Sequence, residues 1–156
     1  MNWPNILWWI CFIPLAFVVQ IYVPGLDALV IGLVIVLQER RYKDLLWVLP
    51  LLVILQEGMG SREFGGAIVW YMMVIIVFNM GRWLFEVENI LFICLLAGCL
   101  GASHFAIVYF MAPLQNLPVD IQNLTDESLT QAIFIATVWW LAYFSRRGVQ
   151  ADEENA

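Results

Sequence analysis

Residues 24–58, PGLDALVIGLVIVLQERRYKDLLWVLPLLVILQEG, hold two apolar runs divided by a basic turn. The runs cover 26–38 and 45–57, and Arg40, Arg41 and Lys43 lie between them. How these runs lie in a bilayer decides the fold. A crossing helix needs about 20 apolar residues, and a run of about 10–14 more often does something else. A re-entrant hairpin, however, would carry three cations to the bilayer centre, each costing about 2.5–3.5 kcal/mol on insertion scales. Two short helices that cross to the far surface avoid that cost. Tyr22, Tyr42 and Trp47 would extend them to the interface, and a locally thin bilayer would help.

The rest of the chain sets the solvent. Of 156 residues 63% are hydrophobic and 13% charged, and the mean hydropathy is +0.83. Soluble domains are about half apolar and a quarter charged. So little polar surface cannot cover so much apolar surface, which implies a single integral membrane domain. The net charge of -6 is concentrated partly in the tail Asp152, Glu153, Glu154, and no basic run suggests nucleic acid.

Six apolar segments are expected, at about 6–23, 26–38, 45–57, 66–85, 90–114 and 129–145. Six crossings put both termini on one side. Arg40, Arg41, Lys43, Arg82, Arg146 and Arg147 then share that side, and only Arg62 falls on the other. The connection 115–128 has no Lys or Arg. By the positive-inside rule the termini are cytoplasmic. The expected organisation is a six-helix membrane domain over 1–145 and a cytoplasmic acidic tail over 146–156. No Lys or Arg precedes the first apolar segment and no small-residue cleavage site follows it, so it is expected to stay as a helix.

Local chemistry refines this outline. Pro24-Gly25 separates the first two segments, since proline restricts its predecessor and glycine permits a turn. Asp44 is placed to cap the third segment, and Asp126 and Glu127 suit the start of the sixth. In 97–103, AGCLGAS, the pairs Ala97/Gly101 and Gly98/Ala102 present small residues at helical spacing, which favours close helix packing. Trp3, Trp8, Trp9, Trp83 and Tyr143 fit interfacial belts. Cys11, Cys94 and Cys99 lie in apolar runs without CxxC spacing, which predicts buried free thiols and neither a disulfide nor a metal site.

Ionisable groups inside a membrane are functional suspects by default. His104 lies midway along the fifth segment and is expected to hydrogen-bond a neighbouring helix, with a proton-relay role as the alternative. Asp27 is expected to be a wet cap at the outer end of the second segment. Arg82 and Glu86, four apart, are expected to pair. The turn LQEGMGSREFGG, 55–66, lacks the spacing and lysine of a phosphate loop, and Ser61 has no basic partner within it. It reads as a tight connection in which Glu57 and the glycines, Gly60 and Gly65 among them, set how the third and fourth segments pack.

The order of these features over about 20–114 resembles the MreD family of rod-shape-determining membrane proteins. A short apolar helix after Pro24 leads to the basic turn ERRYK. A second short helix ends in Glu57. A glycine-rich turn from Gly58 to Gly66 and a long helix with the exit GRWLFE follow. The family usually has Asp at the position of Glu57 and turn glycines four apart, where this chain has Gly60 and Gly65. The resemblance implies a non-enzymatic component of the bacterial cell-elongation machinery in the inner membrane. Its partners would be lipid, a bitopic MreC-like protein and, through it, the MreB filament and peptidoglycan-synthesis enzymes, and a homo-oligomer is compatible with it. It also implies a fold similar to the substrate-binding subunits of energy-coupling-factor transporters, six helices around a central cavity. No cofactor or metal is implied.

Two other readings remain open. A small-molecule-binding transporter subunit shares the implied fold, but such subunits carry an Ala-xxx-Ala pattern on the first helix and only Ala16 is present there. An intramembrane enzyme or proton-coupled protein would use Glu57 and His104, which are expected at different depths.

Overall fold

The computed structural model describes the backbone of residues 3–58, 65–85, 89–114 and 116–154, and side chains between Asn5 and Ala142 within those ranges. Six helices follow one another: α1 (Trp3–Tyr22), α2 (Val30–Gln38), α3 (Tyr42–Gly58), α4 (Gly66–Leu84), α5 (Ile90–Leu114) and α6 (Ile121–Glu154). No strand occurs among the described residues. Among the described residues three helices are long and apolar enough to cross a membrane: α1 over Asn5–Tyr22, α4 over Gly66–Leu84 and α5 over Ile90–Leu114. Large apolar side chains such as Ile21, Leu46, Trp83, Phe110 and Leu141 face outward. An all-helical bundle with such a surface is consistent with a membrane protein.

Contacts at the two ends of the bundle show that the helices alternate in direction. At one end Gln20 near the end of α1, Asp27 just before α2, Gln56 in the last turn of α3 and Trp70 near the start of α4 are hydrogen-bonded together. At the other end Trp9 of α1 meets Trp47 of α3, and Arg82 in the last turn of α4 donates to the Tyr42 hydroxyl at 2.9 Å. There too Phe78 of α4 packs edge-on against Phe92 of α5. Arg40 and Arg41, in the α2–α3 turn, lie at this second end. Arg41 pairs with Asp44 at 2.7 Å. Asp44, in the first turn of α3, thus pairs with the residue just ahead of the helix and also accepts the Trp47 indole N–H at 3.5 Å.

The second helix departs most from the sequence expectation. It starts at Val30, not 26, and has 9 residues. At about 1.5 Å per residue that is roughly 13 Å, less than half of a hydrocarbon core of about 30 Å. Every residue from Leu26 to Leu37 is buried. A helix that is apolar all round belongs in a core, and α2 fills the middle of the bundle against α3, α4 and α6. The expected lengthening through flanking residues occurs in α3, which begins at Tyr42, but not at the start of α2, because 23–29 forms a separate non-helical connection. Its first part follows the expected pattern: α1 ends at Tyr22, and Gly25 takes φ +78.

The sixth helix also departs from expectation. It begins at Ile121, eight residues before the apolar segment. Asp120 caps it, accepting the N–H of Gln122 at 3.0 Å. Asp126 and Glu127 therefore lie in its second turn. The helix runs on to Glu154, so the expected boundary at 145 falls inside it.

The small-residue pairs on α5 separate into two faces. A Cβ on Gly101 would stand 2.8 Å from the Ala132 Cβ and 2.9 Å from the Ser128 carbonyl oxygen, whereas one on Gly98 would meet nothing within 4 Å. The Ala97/Gly101 face is therefore where α6 approaches, and Gly98 and Ala102 are exposed. Cys11, Cys94 and Cys99 are free, as expected, but they are exposed on the outer face instead of buried. In a helix apolar on every side, composition does not say which side faces the core. Trp9 reverses in the opposite sense. It is 4% exposed and packs in the core beside Trp47 and Gly32, where an interfacial ring was expected.

Candidate functional site

Asp27 was expected to be wet, and it is 0% exposed. Its position follows from a contact 104 residues away. The carboxamide of Gln131 on α6 accepts the Asp27 N–H at 2.7 Å and donates to the Asp27 carbonyl oxygen at 3.0 Å. This two-point pairing occupies the backbone groups that a helix would otherwise use. It keeps the chain out of helix ahead of α2 and so explains the late helix start. The Asp27 side chain then turns to the helix entry. Oδ1 accepts the N–H of Leu29 at 3.0 Å and of Val30 at 3.3 Å. These are free donors of the first turn, and negative charge suits a helix N-terminus.

Two more helices supply donors to the same carboxylate. Trp70 Nε1 on α4 donates to Oδ2 at 2.8 Å. The Tyr71 hydroxyl, also on α4, lies 3.4 Å from Oδ1, and Gln20 Nε2 on α1 lies 3.3 Å from it. Gln20 Nε2 also donates to Gln56 Oε1 on α3 at 2.9 Å. In lipid, apolar contact between helices has no hydrophobic driving force, so interhelical hydrogen bonds and close packing hold them together. The Asp27 cluster joins α1, α3, α4 and α6 to the entry of α2.

His104 extends this network on α5. It is 2% exposed, its Nδ1 lies 3.1 Å from the Ser128 Oγ on α6, and its ring meets Trp70 edge-on at 5.5 Å. The expectation that it hydrogen-bonds a neighbouring helix is met. The His–Ser pair has the spacing of a base and a nucleophile. Ser128 lies within α6, where the neighbouring backbone N–H groups are engaged along the helix.

Glu57 works at the same end. Its carboxylate accepts the N–H of Gly65 at 3.0 and 3.1 Å and of Ala67 at 3.2 Å. It thus caps α4 from the last turn of α3, across the glycine turn. Gly65 has φ +82, a left-handed conformation that favours glycine. Gly60, Ser61 and Arg62, and Glu86 as the expected partner of Arg82, lie outside the described residues. Glu57 and Gly65 are brought together, His104 joins Asp27 through Trp70, and the first two turns of α4 link the two groups.

The sequence reading passed over Gln20, Gln56 and Gln131. The usable signal was their rarity: isolated carboxamides in apolar helices need partners. No group of three or more His, Cys, Asp or Glu side chains that could hold a metal occurs among the described residues. A separate groove of about 520 Å³ runs between α1 and α6, lined by Trp8, Cys11, Phe12, Ala16, Phe134 and Val138 among others. No protein-family model, curated protein or solved structure matches this chain.

Proposed function

We propose that this protein is a non-enzymatic membrane scaffold, MreD-like, working in the cell-elongation and peptidoglycan-synthesis machinery of a bacterial inner membrane with both termini cytoplasmic. The observation that carries the reading is the Glu57 cap on α4. It gives a packing role to the acid, the glycine turn and the long helix through which the sequence resembles that family. In this reading the work of the turn is to fix α3 against α4, and chemistry takes place in the partners. The apolar groove along α1 and α6 offers a face for the single helix of a bitopic, MreC-like partner or for lipid. Six crossings with α2 and α3 as short members belong to this proposal, as does a fold like that of energy-coupling-factor substrate subunits, here with α2 in the centre.

The test is purification of the tagged protein in lipid nanodiscs from its native cells, followed by mass spectrometry of proteins and small molecules. Recovery of a bitopic MreC-like protein with wall-synthesis enzymes is the expected result. Failure to recover any elongation protein counts against the reading. Recovery of a transporter ATPase pair or a stoichiometric small molecule replaces it with the transporter-subunit reading.

A further inference from the structure

The end of the bundle opposite Asp27 carries charges that its own packing does not use. In the α2–α3 turn two acids converge on one cation: Arg41 lies 2.7 Å from Asp44 and 3.7 Å from Glu39. Among the described residues no carboxylate pairs with Arg40, Lys43 or Arg82. Arg40 and Lys43 are exposed on either side of that pair. Arg82 reaches the same turn from α4, 40 residues away, by donating to the neutral Tyr42 hydroxyl at 2.9 Å. That contact orients its charge without balancing it. Arg40 also occupies a strained position, with φ +56. Its N–H bonds to the Leu37 carbonyl at 3.3 Å, and the Arg41 N–H bonds to the Val36 carbonyl at 3.2 Å. This pattern ends a helix with a left-handed residue, usually glycine. A long cation stands here instead, and such strain clusters at binding sites. Large apolar side chains ring the same end: Tyr42, Leu46, Trp83 and Leu84 are all exposed, Trp83 to 87%.

We propose that Arg40, Lys43 and Arg82 form a binding site for the phosphate headgroup of an anionic phospholipid. The charge supports an anion. The turn and the end of α4 set four cations, Arg40, Arg41, Lys43 and Arg82, against two carboxylates, Glu39 and Asp44, and both carboxylates are held on Arg41. Each cation at the surface of an anionic membrane strengthens attachment about fivefold. The side-chain types support phosphate. Arginine forks onto phosphate oxygens, and lysine adds a compact charge. The exposed ring supports a lipid as the source of that phosphate. Tryptophan and tyrosine belong at headgroup depth, and arginine and lysine stems lie along apolar surface with their charges toward water. An acidic peptide would call on the charges but not on that ring. A headgroup held here would bridge the α2–α3 turn to the end of α4. The site requires only that the bundle sits in a bilayer, and it stands or falls without the scaffold reading.

The test uses the full chain in nanodiscs made from equal amounts of phosphatidylglycerol and phosphatidylcholine with the same acyl chains. The protein is released into dilute ammonium acetate, and the lipid that stays bound is identified by native mass spectrometry. The full chain is used so that Glu86 and Glu88 of the α4–α5 connection, which lie outside the described residues, count in the result. Phosphatidylglycerol is expected to be retained over phosphatidylcholine by about 25-fold, the product of two surplus charges. The preference should shrink as the salt is raised. Arg40→Gly removes a charge and relieves the left-handed position, so its Tm in phosphatidylcholine alone should hold or rise while the preference falls about fivefold. Lys43→Gln, at an exposed side chain, should lose about as much and serves as the second variant. Together the two substitutions should bring the lipids near parity. Parity in the unaltered chain overturns the proposal, as does an unchanged preference in either folded variant. In those cases the turn serves as an orientation signal or faces an acidic partner.

Discussion

Asp27 and Glu57 each offer a carboxylate to free N–H groups at the start of a helix, α2 in one case and α4 in the other. Their settings differ. Asp27 reaches donors two and three residues ahead, and it is wholly buried among side chains from α1, α4 and α6. Glu57 reaches eight and ten residues ahead, across a turn, and it is only half-buried. Water can replace the Glu57 cap when it is lost. Nothing of the kind is at hand around Asp27, where each abandoned donor would stay in a low-dielectric interior. One local interaction therefore carries different weight in the two places, because the cost of leaving it unmade depends on burial.

That contrast yields a ranked set of outcomes, all measured as unfolding free energy in nanodiscs. Asp27→Ala strips the acceptor from Trp70 Nε1, Gln20 Nε2 and two backbone N–H groups at once, and it should destabilise by about 3–5 kcal/mol or prevent folded protein from accumulating. Next is Gln131→Leu, expected at about 2–3 kcal/mol, since it leaves the Asp27 backbone unpaired in the core. Gly101→Leu attacks the same contact indirectly by forcing α6 away from α5, with a loss of about 2 kcal/mol from overpacking. Glu57→Ala should lose about 1 kcal/mol, the usual size of a cap. Gly98→Leu, on the open face of the same helix as Gly101, should stay within about 0.5 kcal/mol. The comparison breaks if Asp27→Ala and Glu57→Ala prove equal. It sharpens if Glu57→Gln, which keeps an acceptor, recovers most of the alanine loss while Asp27→Asn does not.

How far each part was legible in the sequence follows the same division between local and distant causes. The long segments 66–85 and 90–114 correspond to α4 and α5 almost residue for residue, because length and apolarity alone define them. The packing role of Glu57 was legible too, since an acid beside a glycine turn has its helix start close by in sequence. The start of α2 was not, because the residue that sets it, Gln131, is 104 positions away. The start of α6 was hidden for another reason. Gln122, Asn123, Thr125 and Asp126 face outward while Leu124 and Ser128 face the core, and the inward series goes on through Gln131, Ile135 and Trp139. That spacing was available in the sequence, but it is carried by mixed polar and apolar types. The cysteines show the converse difficulty, since a helix apolar on all sides gives no sign of which side is inside.

The way in which α2 is enclosed bears on how the protein is made. Ribosomes deliver the helices in chain order, yet α2 meets partners from α3, α4 and α6, and the backbone of its approach is completed by α6. A nascent chain that has emerged only through α5 therefore holds a short apolar helix and an unpaired stretch of backbone with no finished place to rest. Final assembly must wait for the last helix, and until then the early segments depend on the insertion machinery, or on provisional pairing with each other, to keep that backbone out of lipid.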